Sequence, residues 1–381
     1  MPNKEDTIIR IRAALKQKGM TQRNLAAALG KKEAEVSRWM SGRMGISVQN
    51  IQKIEQVLET PISRESLLQQ GVGHIRIGII GTGSIATRFA EEIAHVQKTY
   101  IHSAYNPDEK ELERFCYKFG ITNDCHSVED LLKNVDAVYI ASPYLTHYQY
   151  AKMALQAGKH VLCETPFTQT YKEAQELYQL VEKKGLKLAL ALKTAYCPSF
   201  VKILESVKMG CVGEVVELTT TTTTLLQHGV NSVFNNERLA ENAIYGMLAS
   251  IKVMGTDCKR FTCFYKEDDG RKSYFDMNME YEETIAHVRA GTGVKSESSM
   301  VISGTKGYIY VPAPWWKPAY FEIRFENQSD NKKLYFPYED FGLRYEIKSF
   351  IDSINLKPTC EYITKEETLL LARMAEKYLK F

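Results

Sequence analysis

The chain has 381 residues, of which 44% are apolar and 25% are charged. These proportions are typical of a globular protein, and the length suits two or three domains with separate cores. The sequence contains no run of about eighteen apolar residues, the length that would span a bilayer. Its first residues lack the apolar segment and cleavage site of a signal peptide. We therefore expect a cytoplasmic protein that is not inserted in a membrane.

The positive charge is concentrated in the first 70 residues. They hold 12 Lys and Arg against 7 Asp and Glu, a formal charge of +5, whereas the remainder holds 37 against 39, a charge of −2. A basic small domain joined to a nearly neutral large one indicates a polyanionic partner for the small domain alone. A solvated helical face would give the same excess, so charge leaves both interpretations open.

The eight cysteines and eight histidines show no metal-binding pattern. Neither a CxxC pair nor an HExxH segment occurs, and cysteines in a reducing compartment usually serve as small buried hydrophobes. We therefore predict neither disulfides nor a metal site.

The hydrophobic pattern divides the chain into three predicted domains. Residues 1–70 carry apolar residues at helical spacing, which predicts an all-α domain. Residues 74–195 alternate apolar runs with amphipathic helices, which predicts an α/β domain with a parallel, doubly wound Rossmann sheet. Residues 196–381 hold long β-rich segments around one helix near 238–254, which predicts an α+β domain with an open, largely antiparallel sheet. This assignment leaves the C-terminal helices free to pack back on the second domain.

The strands and helices of the second domain can be placed individually. The predicted strands lie at 75–80, 100–105, 137–141, 160–163 and 187–191. The predicted helices between them lie near 84–95, 108–119, 147–157 and 170–184.

The segment MTQRNLAAALGKKEAEVSRWMSGR, residues 20–43, has the pattern of a helix-turn-helix. Thr21 is a helix cap, Gly30 lies at the turn, and both helices have an apolar inner face. The segment resembles the Xre-type family, which includes the phage Cro and repressor proteins, over about 60 residues. The resemblance implies that the first domain binds duplex DNA.

The residues that would contact DNA follow from this resemblance. The second helix would enter the major groove, with Glu33, Ala34 and Arg38 facing base edges. Gln22, Lys32 and Arg43 would lie near phosphates. An alternative is a helical cap that only retains the motif, because the acidic residues at the start of the second helix would repel phosphate.

A glycine-rich turn follows the first predicted strand. The residues GTGSIA open a helix directly after an apolar run, which is the context that makes such a motif specific for a dinucleotide. Gly81 permits the tight turn, and Gly83 lets the backbone of Ser84 and Ile85 approach a pyrophosphate at the helix N-terminus. The next strand ends at Asn106, with neither an acid for the ribose hydroxyls nor an Arg for a 2′-phosphate. We therefore predict NAD or NADP as the cofactor.

The segment DAVYIASPYLTHYQYAKMALQAGKHVLCETP, residues 136–166, resembles the Gfo/Idh/MocA oxidoreductases. The resemblance extends over about 300 residues and includes the segments GTKGYIYVP and GLRYEIKSFIDSI. It implies that Ser142, Pro143, His147 and Glu164 lie beside the nicotinamide half of the cofactor. It also implies a sugar or cyclic polyol as substrate, hydride transfer as the reaction, and a homodimer or homotetramer.

The sequence departs from this family at its catalytic residues. The family's Glu-Lys-Pro is Glu-Thr-Pro here, so Thr165 stands where a lysine would bind the reacting hydroxyl. Glu241 and Tyr245 align with the family's Asp and His and can still exchange protons. Lys193 is the nearby ammonium that could reach the pocket, although a solvated lysine at the end of a strand is an alternative.

Two functions fit these observations. The lost lysine favours a transcriptional regulator that senses a sugar derivative or the redox state of a dinucleotide. The retained residues are consistent with a working NAD(P)-dependent dehydrogenase that has an auxiliary DNA-binding domain. The sequence thus leaves enzymatic activity open, and the intact glycines disfavour a purely structural protein.

Overall fold

The computed structural model describes residues 4–44, 46–59, 74–225, 232–268, 271–337, 339–356 and 362–378. The chain divides into two compact units. One comprises Met1–His74 with Glu113–Thr122, and the other comprises Ile75–Leu112 with Asn123–Phe381. Within the described ranges, no helix has both the length and the apolar character that crossing a bilayer requires.

Four helices around one apolar core form the first unit up to residue 59. They span Lys4–Gln17 (α1), Gln22–Ala28 (α2), Glu33–Met40 (α3) and Val48–Leu58 (α4). Thr21 begins α2 with a capping box, since its hydroxyl accepts the N–H of Asn24 at 3.1 Å and Asn24 Oδ1 accepts the N–H of Thr21 at 3.0 Å. Gly30 adopts φ +65° at the turn before α3. The predicted all-α domain with a helix-turn-helix is therefore confirmed.

The inner faces of these helices carry the apolar residues that the sequence pattern indicated. Side chains that are at most 1% exposed come from all four helices: Ile11, Leu25, Val36, Trp39, Ile54 and Leu58. Burial of such side chains is the main source of stability for a small helical unit.

The second unit begins with a six-stranded parallel sheet in the order β3-β2-β1-β4-β5-β6. Its strands span Ile75–Ile80 (β1), Thr99–Tyr105 (β2), Asn123–Cys125 (β3), Ala137–Ile140 (β4), His160–Cys163 (β5) and Leu188–Leu190 (β6). The helices that follow β1 to β5 span Ser84–Glu92 (α5), Glu109–Phe119 (α6), Val128–Lys133 (α7), His147–Gln156 (α8) and Tyr171–Lys184 (α9). The division into units assigns α6 from Glu113 onward to the first unit. The predicted doubly wound sheet is confirmed.

Sequence analysis placed five of these strands but missed β3 and α7. The strand β3 has three polar or small residues at the sheet edge, and two of them are exposed. An edge strand without an apolar run gives no hydrophobic signal. The helix α7 has only six residues, which is too short for a recognisable period.

An eight-stranded sheet forms the second lobe of this unit, in the order β14-β13-β12-β11-β7-β10-β9-β8. Its strands span Val215–Thr224 (β7), Arg260–Asp268 (β8), Arg271–Glu280 (β9), Ile285–Thr292 (β10), Met300–Gly304 (β11), Tyr308–Val311 (β12), Tyr320–Arg324 (β13) and Lys332–Tyr335 (β14). Only β7 and β10 pair in parallel. The predicted open, largely antiparallel sheet is confirmed.

One long helix packs on the centre of this sheet. The helix Pro198–Lys208 (α10) lies between the two sheets in sequence, and the helix Ser232–Met254 (α11) lies between β7 and β8. The latter begins six residues before the predicted start at residue 238. It approaches β7 and β10 closely at Gly246, where a Cβ atom would lie 2.5 Å from Thr220 Oγ1 and 2.6 Å from Val288 Cγ1. This close contact fixes the face of α11 that carries the site residues described below.

The last two helices return to the first lobe of this unit. They span Leu343–Ile354 (α12) and Lys365–Tyr378 (α13), and they contact α5 and α9 respectively. Glu92, which is 1% exposed, fixes the start of α12. It accepts the N–H of Phe341 at 2.7 Å and the Nε–H of Arg344 at 2.6 Å. A buried ion pair with this many hydrogen bonds fixes position and orientation.

Candidate functional site

The glycine-rich turn between β1 and α5 has the geometry that a bound pyrophosphate needs. Gly81 adopts φ +94°, and a Cβ atom there would lie 2.6 Å from the carbonyl oxygen of Ala141. Gly83 is the N-cap of α5, no side chain caps the helix, and a Cβ at this position would meet nothing within 4 Å. Open space thus lies above the helix N-terminus, where Ser84 and Ile85 begin α5. These residues therefore fit a dinucleotide.

A carboxylate that sequence analysis overlooked lies beside Asn106, the residue after β2. Asn106 donates from its side-chain amide to Thr82 Oγ1 and, at 3.3 Å, to Glu111 Oε2. Asp108 does not face this position, because its carboxylate accepts the N–H groups of Lys110 at 2.9 Å and Glu111 at 3.1 Å. Since Glu111 lies on α6, one helical turn beyond the strand end, only the folded structure shows that it lies beside Asn106.

His147 is buried between the loops after β4 and β5. Its side chain is 1% exposed, with Nδ1 at 2.7 Å from the carbonyl oxygen of Pro166 and Nε2 at 2.8 Å from that of Ser142. Burial lowers the pKa of His147. Both ring nitrogens thus lie against protein carbonyls, and the place of His147 beside the nicotinamide half of the cofactor stays a prediction. Its role here is to join the loops after β4 and β5.

Ser142 and Pro143 remain accessible in the loop after β4. Ser142 is partly exposed and its hydroxyl lies 2.7 Å from Thr146 Oγ1. Pro143 is exposed, and its carbonyl oxygen accepts the hydroxyl of Thr146 at 2.7 Å. These bonds hold the loop in one conformation at the carboxyl end of the sheet, the edge at which doubly wound folds bind ligands.

Glu164 follows β5 and forms the centre of an acid–base cluster. Its Oε1 accepts the hydroxyl of Tyr139 at 2.5 Å, and the ring of Tyr139 stacks on Phe89 with centroids 3.7 Å apart. The pKa of Glu164 is raised to about 7, and burial is the largest cause. The hydrogen bond from Tyr139 lowers this pKa, whereas the negative charge of Glu241 raises it. A carboxyl with this pKa can exchange a proton near neutral pH.

Thr165 lies between Glu164 and Pro166, at the position of the missing lysine. It is partly exposed, and its backbone N–H interacts with the Glu164 carboxylate. Its hydroxyl can form a hydrogen bond but cannot supply positive charge. The charge that this position lacks must come from another residue if the site is to stabilise an alkoxide.

Glu241 and Tyr245 lie one turn apart on α11. Glu241 is exposed, whereas Tyr245 is partly buried and stacks on Trp316 at 6.4 Å between centroids. Burial raises the pKa of Tyr245 well above its ordinary value, and the charge of Glu164 raises it further. Tyr245 therefore keeps its proton at neutral pH and can donate a hydrogen bond. Sequence analysis missed Trp316, although two adjacent tryptophans are an unusual signal.

Lys193 is not a solvated lysine at the end of a strand. It begins the 3₁₀ helix Lys193–Tyr196 directly after β6, and its side chain is partly buried. Burial lowers the pKa of Lys193, while the negative charges of Glu346 and Glu164 raise it. The side chain is therefore not fully solvated, and its place in a catalytic pocket stays a prediction.

Glu346, on α12, was not identified from the sequence. It is 1% exposed, and neither carboxylate oxygen has a hydrogen-bond partner among the described residues. Its position in the helix gave a usable signal, since it lies three residues after buried Leu343 and four before buried Phe350. A glutamate on the apolar face of an amphipathic helix points to a buried charge.

The six residues predicted to contact DNA are all exposed on the first unit: Gln22, Lys32, Glu33, Ala34, Arg38 and Arg43. The side chain of Arg38 lies along α3 and donates from Nε to the carbonyl oxygen of Ala34 at 3.2 Å. Lys31 pairs with Glu35 at 3.0 Å, which offsets one of the two carboxylates at the start of α3. These exposed side chains of α2 and α3 and of the segment after α3 stay candidates for DNA contact, and the carboxylate of Glu33 would oppose phosphate there.

The fold and these sites together define a class of protein. A parallel doubly wound sheet with a glycine-rich strand-to-helix turn binds a dinucleotide at its carboxyl edge. The second lobe brings protonatable side chains to the same edge, as in an oxidoreductase. The first unit adds a helix-turn-helix.

Comparison with known proteins identifies both parts. Residues 75–192 are a domain of the Gfo/Idh/MocA oxidoreductase family, described as an NAD-binding Rossmann fold, and residues 11–64 are a helix-turn-helix domain. The suspected fusion is therefore confirmed, as is the dinucleotide as cofactor.

Two curated relatives are similar over part of this chain. A scyllo-inositol 2-dehydrogenase (NADP(+)) of Bacillus subtilis is 35% identical over 144 residues, which cover 36% of this chain and 43% of that protein. A D-xylose 1-dehydrogenase (NADP(+)) of Hypocrea jecorina is 33% identical over 155 residues, covering 37% and 40%. The chain thus spans about two fifths of the length of these relatives.

A solved structure shows that the fold extends beyond this region. KijD10, a 3-ketoreductase from Actinomadura kijaniata, superposes with a TM-score of 0.72 at 20% identity and covers 80% of this chain and 97% of its own. At this identity the likeness establishes the fold of both lobes.

Proposed function

We propose that the chain is an NAD(P)-dependent oxidoreductase that acts at one carbon of a sugar or cyclic polyol, joined to a domain that binds duplex DNA. The observation that carries this proposal is the partly buried Lys193, within electrostatic reach of Glu164. Lys193 supplies an ammonium group to the site in which Thr165 stands in place of the family's lysine. The names of the two relatives support a sugar or polyol as substrate.

The residues of the site divide the work of such a reaction. When bound, the cofactor supplies the hydride acceptor or donor. The turn at Gly81 and Gly83 would hold its pyrophosphate, and Ser142, Pro143 and Glu164 would border its nicotinamide half. Sequestering the reacting carbon between the two lobes would then orient it for transfer.

Three side chains then handle charge and protons. Tyr245 keeps its proton and donates a hydrogen bond to the substrate oxygen, and the ammonium of Lys193 stabilises the developing alkoxide. Glu164, with a pKa of about 7, accepts the proton of the hydroxyl or returns it in the reverse direction. Glu241 is exposed on α11 and would bind substrate hydroxyls at the entrance.

We expect the residues near Asn106 to determine which form of the dinucleotide binds. The relatives' names specify NADP(+). In this chain the carboxylate of Glu111 lies 3.3 Å from the Asn106 amide, where the negative charge would repel a 2′-phosphate. This contact favours NAD, which calorimetry with both dinucleotides would test.

A regulator is the second candidate, and the uncharged Thr165 favours it. In that case the same pocket senses a sugar derivative or the redox state of the dinucleotide, and the helix-turn-helix transmits the signal to DNA. DNA binding itself would use paired half-sites about 34 Å apart, since one helix-turn-helix contacts few base pairs. A homodimer or homotetramer formed through the second-lobe sheet would supply the pairing.

The deciding experiment measures turnover of the full chain on a panel of sugars and inositols with NAD⁺ and NADP⁺, followed by nicotinamide absorbance. The oxidoreductase proposal expects ordinary rates with at least one substrate, and loss of about 10²- to 10⁴-fold in Lys193→Met. Rates at baseline across the panel, with ligand-dependent changes in DNA affinity, would instead establish the regulator.

A further inference from the structure

The loop between β12 and β13 carries two adjacent tryptophans that the proposed reaction does not use. Trp315 is fully buried, and its indole N–H donates to the carbonyl oxygen of Thr221 at 3.1 Å and to Thr222 Oγ1 at 3.0 Å. Both acceptors lie on β7, in the middle of the second-lobe sheet. Satisfied buried hydrogen bonds of this kind make a segment rigid, so they fix the backbone from which Trp316 extends.

Trp316 is also held from the side of the first sheet. Its carbonyl oxygen accepts the hydroxyl of Thr194 at 2.5 Å, and Thr194 is fully buried. Thr194 is the second residue of the 3₁₀ helix that Lys193 begins after β6. The backbone of Trp316 therefore lies against the residue that follows Lys193.

The indole ring of Trp316 lies beside the ring of Tyr245 on α11. Their planes differ by 28° and their centroids are 6.4 Å apart, an offset arrangement in which the two rings overlap only in part. The ring of Trp315 is perpendicular to that of Trp316, with centroids 6.3 Å apart. Trp316 remains partly exposed. A rigid aromatic surface thus borders the tyrosine that is proposed to bind the substrate oxygen.

We propose that Trp316 is a specificity-determining residue, whose indole is a platform for the apolar face of a ring-shaped polyol or sugar with equatorial hydroxyls. The inference rests on the proposed function, because it concerns the substrate of the same site. Equatorial hydroxyls point outward from a chair, so the ring presents a flat face of C–H groups. Packing this face on an aromatic ring removes apolar surface from water, while the hydroxyls at the rim stay free to form hydrogen bonds.

The rigidity of the loop makes this platform selective. Because Trp315 and Thr194 fix the loop before a ligand arrives, little conformational freedom of the protein is lost on binding. A ring compound is also rigid, whereas an open-chain polyol has no permanent flat face and must be ordered to pack on the indole. The platform therefore favours ring compounds over open chains with the same hydroxyl groups.

Calorimetry on the full chain with reduced dinucleotide bound tests this preference, since a polyol cannot be oxidised in that complex. The ligands are scyllo-inositol and D-glucose, which are rings, and D-glucitol, an open chain with as many hydroxyls as scyllo-inositol. The wild type should bind at least one ring compound more tightly than D-glucitol. In Trp316→Ala the affinity for that ring compound should fall about tenfold or more, and the affinity for D-glucitol by no more than about threefold.

Three further variants serve as controls. Trp316→Phe keeps a flat ring and should retain most of the preference, whereas Trp316→Leu is apolar without being flat and should lose it. Tyr117→Ala removes a ring that is 90% exposed on α6, and it should leave all affinities unchanged. Equal losses for ring and open-chain ligands in folded Trp316→Ala would indicate a structural role and overturn the platform, as would an unchanged preference.

Tryptophan emission covers the case in which Trp316→Ala does not fold. The ring compound that the wild type binds should change its tryptophan emission, and this change should be largely absent in Trp316→Phe, although calorimetry still records binding. The same emission change in both proteins would overturn the platform.

The outcomes for the platform and for the proposed function are separable, because affinity is measured without turnover. A chain that binds a ring compound through Trp316 but oxidises no polyol refutes the oxidoreductase and supports the platform. An active enzyme whose Trp316→Ala variant keeps its preference refutes the platform alone. A wild type that binds neither scyllo-inositol nor D-glucose overturns the platform together with the proposed substrate class.

Discussion

Two neighbouring glycines in the turn after β1 should respond oppositely to substitution. In Gly81→Ala the new Cβ would lie 2.6 Å from the carbonyl oxygen of Ala141, at a backbone φ of +94°. Backbone strain of this kind costs about 1–3 kcal/mol, and forcing atoms into a packed region costs about 1–3 kcal/mol more. The free energy of unfolding should therefore drop by about 2–6 kcal/mol, a large part of the stability of an ordinary domain.

Gly83→Val is the matched control for this change. Its Cβ meets nothing within 4 Å, and the glycine already has an extended backbone with φ −71°. Stability should change by no more than about 1 kcal/mol, the cost of a poorer helix cap. The valine would, however, fill the space that the pyrophosphate needs, so dinucleotide affinity should fall about tenfold or more.

Chemical denaturation measures the stability of both variants, and calorimetry with NAD(H) and NADP(H) measures their affinity for the dinucleotide. The expected pattern is a large stability loss in Gly81→Ala, and a binding loss without a stability loss in Gly83→Val. If Gly81→Ala were as stable as the wild type, the close approach to Ala141 would be refuted. If Gly83→Val bound the dinucleotide as well as the wild type does, the pyrophosphate would lie elsewhere.

Further predictions concern pH, cofactor choice, DNA binding and the lost lysine. The rate of alcohol oxidation should rise with pH through about 7, because Glu164 must lose its proton before it can accept another. The variant Glu164→Gln should lack this inflection in the pH–rate profile. If the variant kept the inflection, the assignment of Glu164 as the proton acceptor would be contradicted. Glu111→Gln should strengthen binding of NADP(H) relative to NAD(H) in calorimetry, and an unchanged ratio would show that Glu111 does not face the ribose. Arg38→Ala should cost roughly 1–3 kcal/mol on the preferred DNA site and little on random DNA, whereas equal losses in a gel-shift titration would exclude base recognition. Thr165→Lys should raise polyol oxidation from baseline if the chain is a regulator, and it should give little gain if Lys193 already supplies the charge.

The sequence alone determined the elements whose signals are local. A capping threonine, a turn glycine and apolar residues at helical spacing lie within about 25 residues of each other, and they predicted the helix-turn-helix. The apolar runs of β1, β4 and β5 predicted a parallel sheet because such strands are buried on both faces. The turn from Gly81 to Ile85 could be recognised for the same reason, since a strand, a glycine pair and a helix start are contiguous.

Only the tertiary structure decided which titratable groups share one environment. Glu164, Lys193, Tyr245 and Glu346 come from four separate segments, and the sequence gives no distance between them. Burial controls their ionisation, since the loss of hydration raises the pKa of a carboxyl and lowers that of an ammonium. Whether Lys193 was solvated or enclosed, and that Glu346 lies near it, therefore depended on how α12 packs against the loop after β6.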